Sequence, residues 1–129
     1  LLKKRKIKKI VPLEIAEQKA YIQWLDINNI KYFAVPNVVT LASCLKTIQQ
    51  KVNFWRMRRK EGVKKGAPDL VVFLPNCILF VEMKRISGSD TSDEQKKWSE
   101  IINRYSYSKS VICKGAKSAI DCTIDAMIV

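Results

Sequence analysis

The sequence predicts an α/β domain with a central mixed sheet flanked by helices, and three observations carry that expectation. Two short apolar runs, residues 70–74 (LVVFL) and 77–81 (CILFV), flank a Pro75-Asn76 turn. Segments of helical periodicity lie before and after them. The elements follow in the order helix, strand, helix, two hairpin strands, helix, strand, helix, which suits helices packed on a sheet. With 129 residues, 47% of them apolar, the chain can bury a core in one domain, expected over residues 13–129 behind a basic arm of residues 1–12.

The arm opens LLKKRKIKKI and ends at Pro12. Its lysine cluster could touch phosphates, act as an import signal in a eukaryote, or stay a solvated arm. The chain starts without Met, as a trimmed chain does. Over residues 13–29 the pattern is helical, with Ile15, Ile22 and Leu25 marking an apolar stripe and Tyr21 and Trp24 beside it. Gln18 sits on that stripe, and Glu14 and Glu17 border it three residues apart. A polar Gln on an apolar face needs partners, supplied by a structural hydrogen bond or by a polar site at that helix end.

Residues 31–35 read as a short strand closed by Pro36-Asn37. A second helical pattern runs over residues 41–61 through Leu45, Ile48, Val52 and Trp55, with Gly62 as its C-cap. Its end packs Arg56, Arg58, Arg59 and Lys60 together. Such residues suit the macrodipole of a helix C-terminus, and with Lys51 and Trp55 they also fit phosphate contact. Residues 63–68 then approach the hairpin. Gly66 and Pro68 shape a backbone that could pass close to a phosphate, with Lys64 and Lys65 alongside.

Runs as short and as rich in Val, Ile and Phe as 70–74 and 77–81 read as strands buried on both faces. A symmetric turn on Pro75-Asn76 pairs Leu74 with Cys77, and every further pair shares the sum 151. Pro75 excludes a tight two-residue primed turn, but a four-residue loop accepts it and keeps that sum. Asp69 then falls opposite Glu82, within about 5.5 Å at Cβ. Lys84 lies on the same face as Glu82, two residues on. Two carboxylates and a lysine converge at one end of a buried hairpin.

Ser92 is a credible N-cap for the next helix, with Asp93 and Glu94 in its first turn and Gln95 completing a capping box. That helix is expected to continue through Trp98, Ile101, Ile102 and Tyr105. Residues 109–114 (KSVICK) form a last strand and residues 116–127 a closing helix. Lys114, at the end of that strand, joins the phosphate-contacting set.

The formal net charge of +12 implies a polyanionic partner, nucleic acid ahead of an anionic membrane. The absence of histidine excludes imidazole bases and ligands, including Ser-His and Cys-His arrangements. Cys44, Cys77, Cys113 and Cys122 form no CxxC pair, which argues against a zinc ribbon. They read as small buried residues of a reduced cytosolic protein. No stretch approaches the length of a membrane span, and no signal-peptide apolar region follows the basic start.

Paired carboxylates without His or Cys nearby suit Mg²⁺ or Mn²⁺ over zinc. Such an ion can activate water and stabilise charge on a scissile phosphate, with Lys84 holding the water or the oxyanion. The competing explanation is an ordinary Asp/Glu/Lys ion-pair cluster. Buried ion clusters cost desolvation and stabilise little, so their presence between buried strands favours function.

Pro68-Asp69 followed by Glu82-Met83-Lys84 resembles the PD-(D/E)xK signature of a large nuclease superfamily. Four further elements resemble the virus-type replication-repair nuclease (VRR-NUC) family: Glu17-Gln18, Pro36-Asn37, Gly62-x-x-x-Gly66-Ala-Pro-Asp-Leu70, and Ser92-x-x-Gln95. The resemblance implies a PD-(D/E)xK nuclease-like αβββαβ core that requires Mg²⁺ or Mn²⁺. By that carry-over Asp69, Glu82 and the Met83 backbone carbonyl are metal ligands and Lys84 is the catalytic lysine. Gln95 lines the site. Glu17 is the helix-borne acid near the metal, favoured over its rival Glu14 because it directly precedes Gln18.

Small stand-alone members of the family look like phage or bacterial proteins that cut branched DNA, such as Holliday junctions, as homodimers. The resemblance thus implies a DNA endonuclease in the bacterial or phage-infected cytoplasm, or in the nucleus if the source is eukaryotic. The competing class is a non-catalytic nucleic-acid-binding module that keeps the nuclease fold. Asp69, Glu82 and Lys84 speak against it, since binding alone needs none of them.

Overall fold

The computed structural model describes residues 11–36 and 42–128. Most of the expected basic arm (residues 1–10), residues 37–41 with Asn37 of the Pro36-Asn37 pair, and Val129 lie outside the described residues. The elements are α1 (Glu14–Ile27), β1 (Lys31–Ala34), α2 (Ile48–Lys60), β2 (Leu70–Phe73), β3 (Ile78–Lys84), α3 (Asp93–Ile102), β4 (Ser108–Lys114) and α4 (Ala116–Met127). The strands form one sheet in the order β1-β2-β3-β4. The first two pairings are antiparallel and β3 pairs β4 in parallel. A parallel neighbour requires a crossover, which α3 supplies. The sheet is therefore mixed and the αβββαβ order is present, with α2 inserted between β1 and β2.

The hairpin has the expected register. Leu70 pairs with Val81, Val71 with Phe80, Val72 with Leu79 and Phe73 with Ile78, all on the sum 151. The Leu74 amide donates to the Cys77 carbonyl at 3.0 Å and closes a four-residue loop around Pro75-Asn76.

One face of the sheet is the core. Leu70, Val72, Leu79, Val81, Met83 and Cys113 are fully buried there against Tyr21 and Leu25 of α1 and Ala119 of α4. Thr123 donates its hydroxyl proton to the Ala119 carbonyl at 2.7 Å, which leaves its oxygen to accept from the Tyr21 hydroxyl at 2.6 Å. The stripe of α1 is thus centred on Tyr21 and Leu25. Ile15, expected on it, is 54% exposed. The second face is only partly covered. Over β4 it carries α3, but Phe33 and Phe73, whose rings stand 6.0 Å apart, are half exposed. Burial on both faces therefore holds for β3 and most of β2, and fails for β1.

Three boundaries differ from expectation. Helix α2 starts at Ile48 and not at 41, because Thr47 and Gln50 build a capping box there. None of its residues is buried, and Ile48, Val52 and Met57 stand in solvent. Helix α3 does open with the Ser92–Gln95 box, but stops at Ile102, before Tyr105. Among the cysteines, Cys113 is buried and Cys77 and Cys122 are half-buried thiols, whereas Cys44 is exposed. Among the described residues no helix is long and apolar enough to cross a membrane.

The two faces should differ in energetic weight. Leu79→Ala should cost about 2–5 kcal/mol in urea unfolding, and Phe73→Ala about 1 kcal/mol or less. Equal costs would mean that the Phe33–Phe73 side is covered in solution.

Candidate active site

The site lies where the β2–β3 ladder ends. The Gly115 amide donates to the Lys84 carbonyl at 2.9 Å, so the backbones of Glu82 and Lys84 face β4. By the strand alternation, the backbones of Val81 and Met83 face β2. Continuing the register past Leu70–Val81 brings Met83 opposite Pro68, which has no N–H to give to the Met83 carbonyl. The Asp69 carboxylate occupies this gap, and its Oδ2 accepts from the Met83 amide at 2.7 Å. The Asp69 carboxylate and the Met83 carbonyl are thereby left on the same side of β3.

Glu82 and Lys84 are only 5% and 6% exposed. They are joined through Gln95, whose Nε2 donates to Glu82 Oε1 at 2.5 Å and whose Oε1 accepts from Lys84 Nζ at 2.9 Å. Lys84 Nζ also lies 3.7 Å from Glu82 Oε1. The same Gln95 Oε1 accepts from the Ser92 amide at 2.9 Å, while Ser92 Oγ accepts from the Gln95 amide. Gln95 therefore closes the start of α3 and holds the acid and the base together. The second oxygen of Glu82 is buried and has no hydrogen-bond partner among the described residues.

Burial pushes the Glu82 carboxyl up to about 8, helped by repulsion from Asp69 and Glu14 and opposed by Lys84. Burial likewise raises Asp69 to about 6, with the Met83 amide pulling the other way. Two acids forced together out of water, one oxygen unsatisfied, form a site that favours positive charge.

A cleft of about 660 Å³ opens over these groups. Asp69, Glu82, Lys84, Gln95, Lys64, Lys65 and Gly66 all line it. Glu14 lines it as well and Glu17 does not. The Glu17 carboxylate instead accepts from the Ala116 amide at the start of α4. The acid that α1 brings to the cleft is thus Glu14. Gly66 also has a different use from the one expected. A Cβ there would meet the backbone of Glu94 and Gln95 at 2.6 and 2.7 Å, so its small size lets the loop pack on α3.

Arg56, Arg58, Arg59 and Lys114 do not line the cleft. Arg58 pairs with Glu61 at 3.1 Å and lies over the Phe54 ring, and Arg56 bonds Asn53. Two tryptophans that sequence reasoning left out of the site also line the cleft, Trp55 and Trp98. Among the described residues no three His, Cys, Asp or Glu side chains form a group that could hold a metal by themselves. A cation here would depend on two carboxylates, a backbone carbonyl and outside ligands.

A mixed four-stranded sheet with flanking helices, with Asp69, Glu82 and Lys84 at the end of its central hairpin, fits an α/β nuclease-like fold. A solved structure described as a VRR_NUC domain protein resembles this chain, with 20% sequence identity and a TM-score of 0.66, over 92% of this chain and 90% of that one. The chain has the VRR-NUC fold. No family model matches the sequence, and no curated protein matches it.

Both site acids bind protons more tightly folded than unfolded, so the stability they contribute is full below their ordinary range and is lost as pH rises through about 6 for Asp69 and about 8 for Glu82. The Tm of metal-free protein should fall over this window, and Glu82→Gln should remove most of the fall. A parallel fall in the variant would assign it to other groups. The two α1 acids should also separate in chemical unfolding. Glu17→Ala should cost about 1 kcal/mol by uncapping α4, and Glu14→Ala less than about 0.5 kcal/mol.

Proposed function

We propose that this protein is a metal-dependent DNA endonuclease that hydrolyses phosphodiester bonds. The observation that carries the reading is the buried, unpartnered oxygen of Glu82 beside Asp69, with a lysine held against the same carboxylate. The donor set fits Mg²⁺ or Mn²⁺, since every candidate ligand is a hard oxygen: Asp69, Glu82 and the Met83 carbonyl. When bound, such an ion supplies Lewis-acid stabilisation of the phosphate and a water of lowered pKa.

The chain's own residues define the remaining roles. Lys84 donates one of its three N–H groups in a hydrogen bond to Gln95 and keeps the others for an attacking water or the developing oxyanion. Gln95 positions Lys84 and Glu82 together. Glu14, from α1, is the helix-borne acid at the cleft, in the role that the resemblance gave to Glu17. Lys64 and Lys65 meet the phosphates on the way in, and the charge of +12 draws the polyanion. Branched DNA is the proposed substrate. Its symmetric cleavage requires two active sites, hence two copies of the chain about a two-fold axis.

Cleavage of a labelled four-way junction and of a matched linear duplex tests this. Wild type should cut the junction with Mg²⁺ or Mn²⁺ and stop in EDTA. Asp69→Asn and Lys84→Ala should each lose about 10²-fold or more in rate while still shifting DNA in a gel. Cutting by wild type and Asp69→Asn alike would sink the catalytic assignment of Asp69, and cutting by neither would sink the nuclease reading in favour of a binding module. Equal cutting of both substrates would remove the preference for branches.

A further inference from the structure

We infer that the cleft takes an unpaired nucleotide whose base stacks on Trp55, so that the substrate carries an unpaired or splayed strand next to the scissile phosphate. This rests on the nuclease reading above and narrows its substrate. Trp55 projects from α2, a helix with no buried residue, so its indole is not spent on the core. It lines the same cleft as Asp69 and Glu82.

Lys65 Nζ stands 5.0 Å from the centre of the Trp55 ring, which puts a cation and an aromatic face together at the cleft. The loop bearing that lysine is held from the other side, where the Trp98 indole N–H donates to the Lys65 carbonyl at 3.1 Å.

Phosphate recognition alone calls for cations and N–H donors and has no use for an aromatic wall. A duplex turns phosphates and sugars outward and keeps its base faces stacked inside. Inside a continuous duplex no base face is open to an indole, whereas an unpaired base offers one. The cleft, at about 660 Å³, has room for a ligand on the scale of a nucleotide. An entering base would take the place of the Lys65 ammonium on the ring, and the ammonium would move to that nucleotide's phosphate.

Binding, read without cutting, tests the inference. Asp69→Asn protein is titrated with a single-stranded oligonucleotide carrying 2-aminopurine and with a plain duplex of equal length. Adding Trp55→Ala should weaken single-strand binding about tenfold or more, abolish the quenching of 2-aminopurine, and leave the duplex within about twofold. Trp55→Phe should restore most of the single-strand affinity and the quenching, while Lys65→Ala should weaken both ligands alike.

Equal loss on both ligands with Trp55→Ala, or no loss on either, would overturn the stacking site. So would a selective loss reproduced by Lys65→Ala, since Trp55 would then act only by holding the lysine. None of these measurements involves turnover. Their failure leaves the nuclease reading standing, and a protein that stacks the base but cuts nothing would fail that reading alone.

Discussion

The bond from the Met83 amide to the Asp69 carboxylate is the contact on which the site depends. Pairing two strands is cooperative, and something has to stop it before a buried ladder consumes the polar groups at its end. Proline at 68 does so by withholding a donor, and the next residue turns its carboxylate into the place a strand would have filled. The result is a strand end that is internally bonded and still carries a carbonyl and two acids on one side.

Gln95 ties this strand end to the helical layer. Its amide caps α3 through Ser92, its carbonyl oxygen takes Lys84, and its amide nitrogen holds Glu82. The helix start and the charge cluster therefore share one side chain, and the positive φ of Gly66 lets the basic loop lie on the same first turn. Burying an acid and a base together is costly when either is left without partners. The Gln95 bridge satisfies one oxygen of Glu82 and leaves the other for a ligand.

Strand periodicity made most of this legible in the sequence. A period of two admits only two rotations, so the Pro75-Asn76 turn sufficed to set Asp69 near Glu82 and Lys84 on the same face. Helices were less readable for the same geometric reason. Glu14 and Glu17 differ by about 60° around α1, too little for an apolar pattern with Ile15 misassigned to separate them. The fully buried pair Tyr21 and Leu25 fixes that rotation, and it orients Tyr21 by a hydroxyl bond to Thr123, a hundred residues away and invisible to local pattern. In α2 the apolar spacing of Leu45, Ile48 and Val52 suggests a longer helix, yet the Thr47 cap interrupts it and Ile48, Val52 and Met57 stand exposed. Trp55 was read there as part of a phosphate-binding surface, since only the three-dimensional path of the 63–68 loop carries Lys65 to it.

Helix α2 supplies no buried side chain, so the domain's core does not draw on it, although the same β1–β2 connection brings buried Ala42 and Pro68 and ends in Asp69. The contacts that hold Asp69, Glu82 and Lys84 are made by Met83 and Gln95, outside α2, while Trp55 of α2 forms one wall of the cleft. The acid cluster and the Trp55 wall therefore rest on separate elements of a single small domain. One is fixed by strand register, and the other is carried on a helix inserted between β1 and β2.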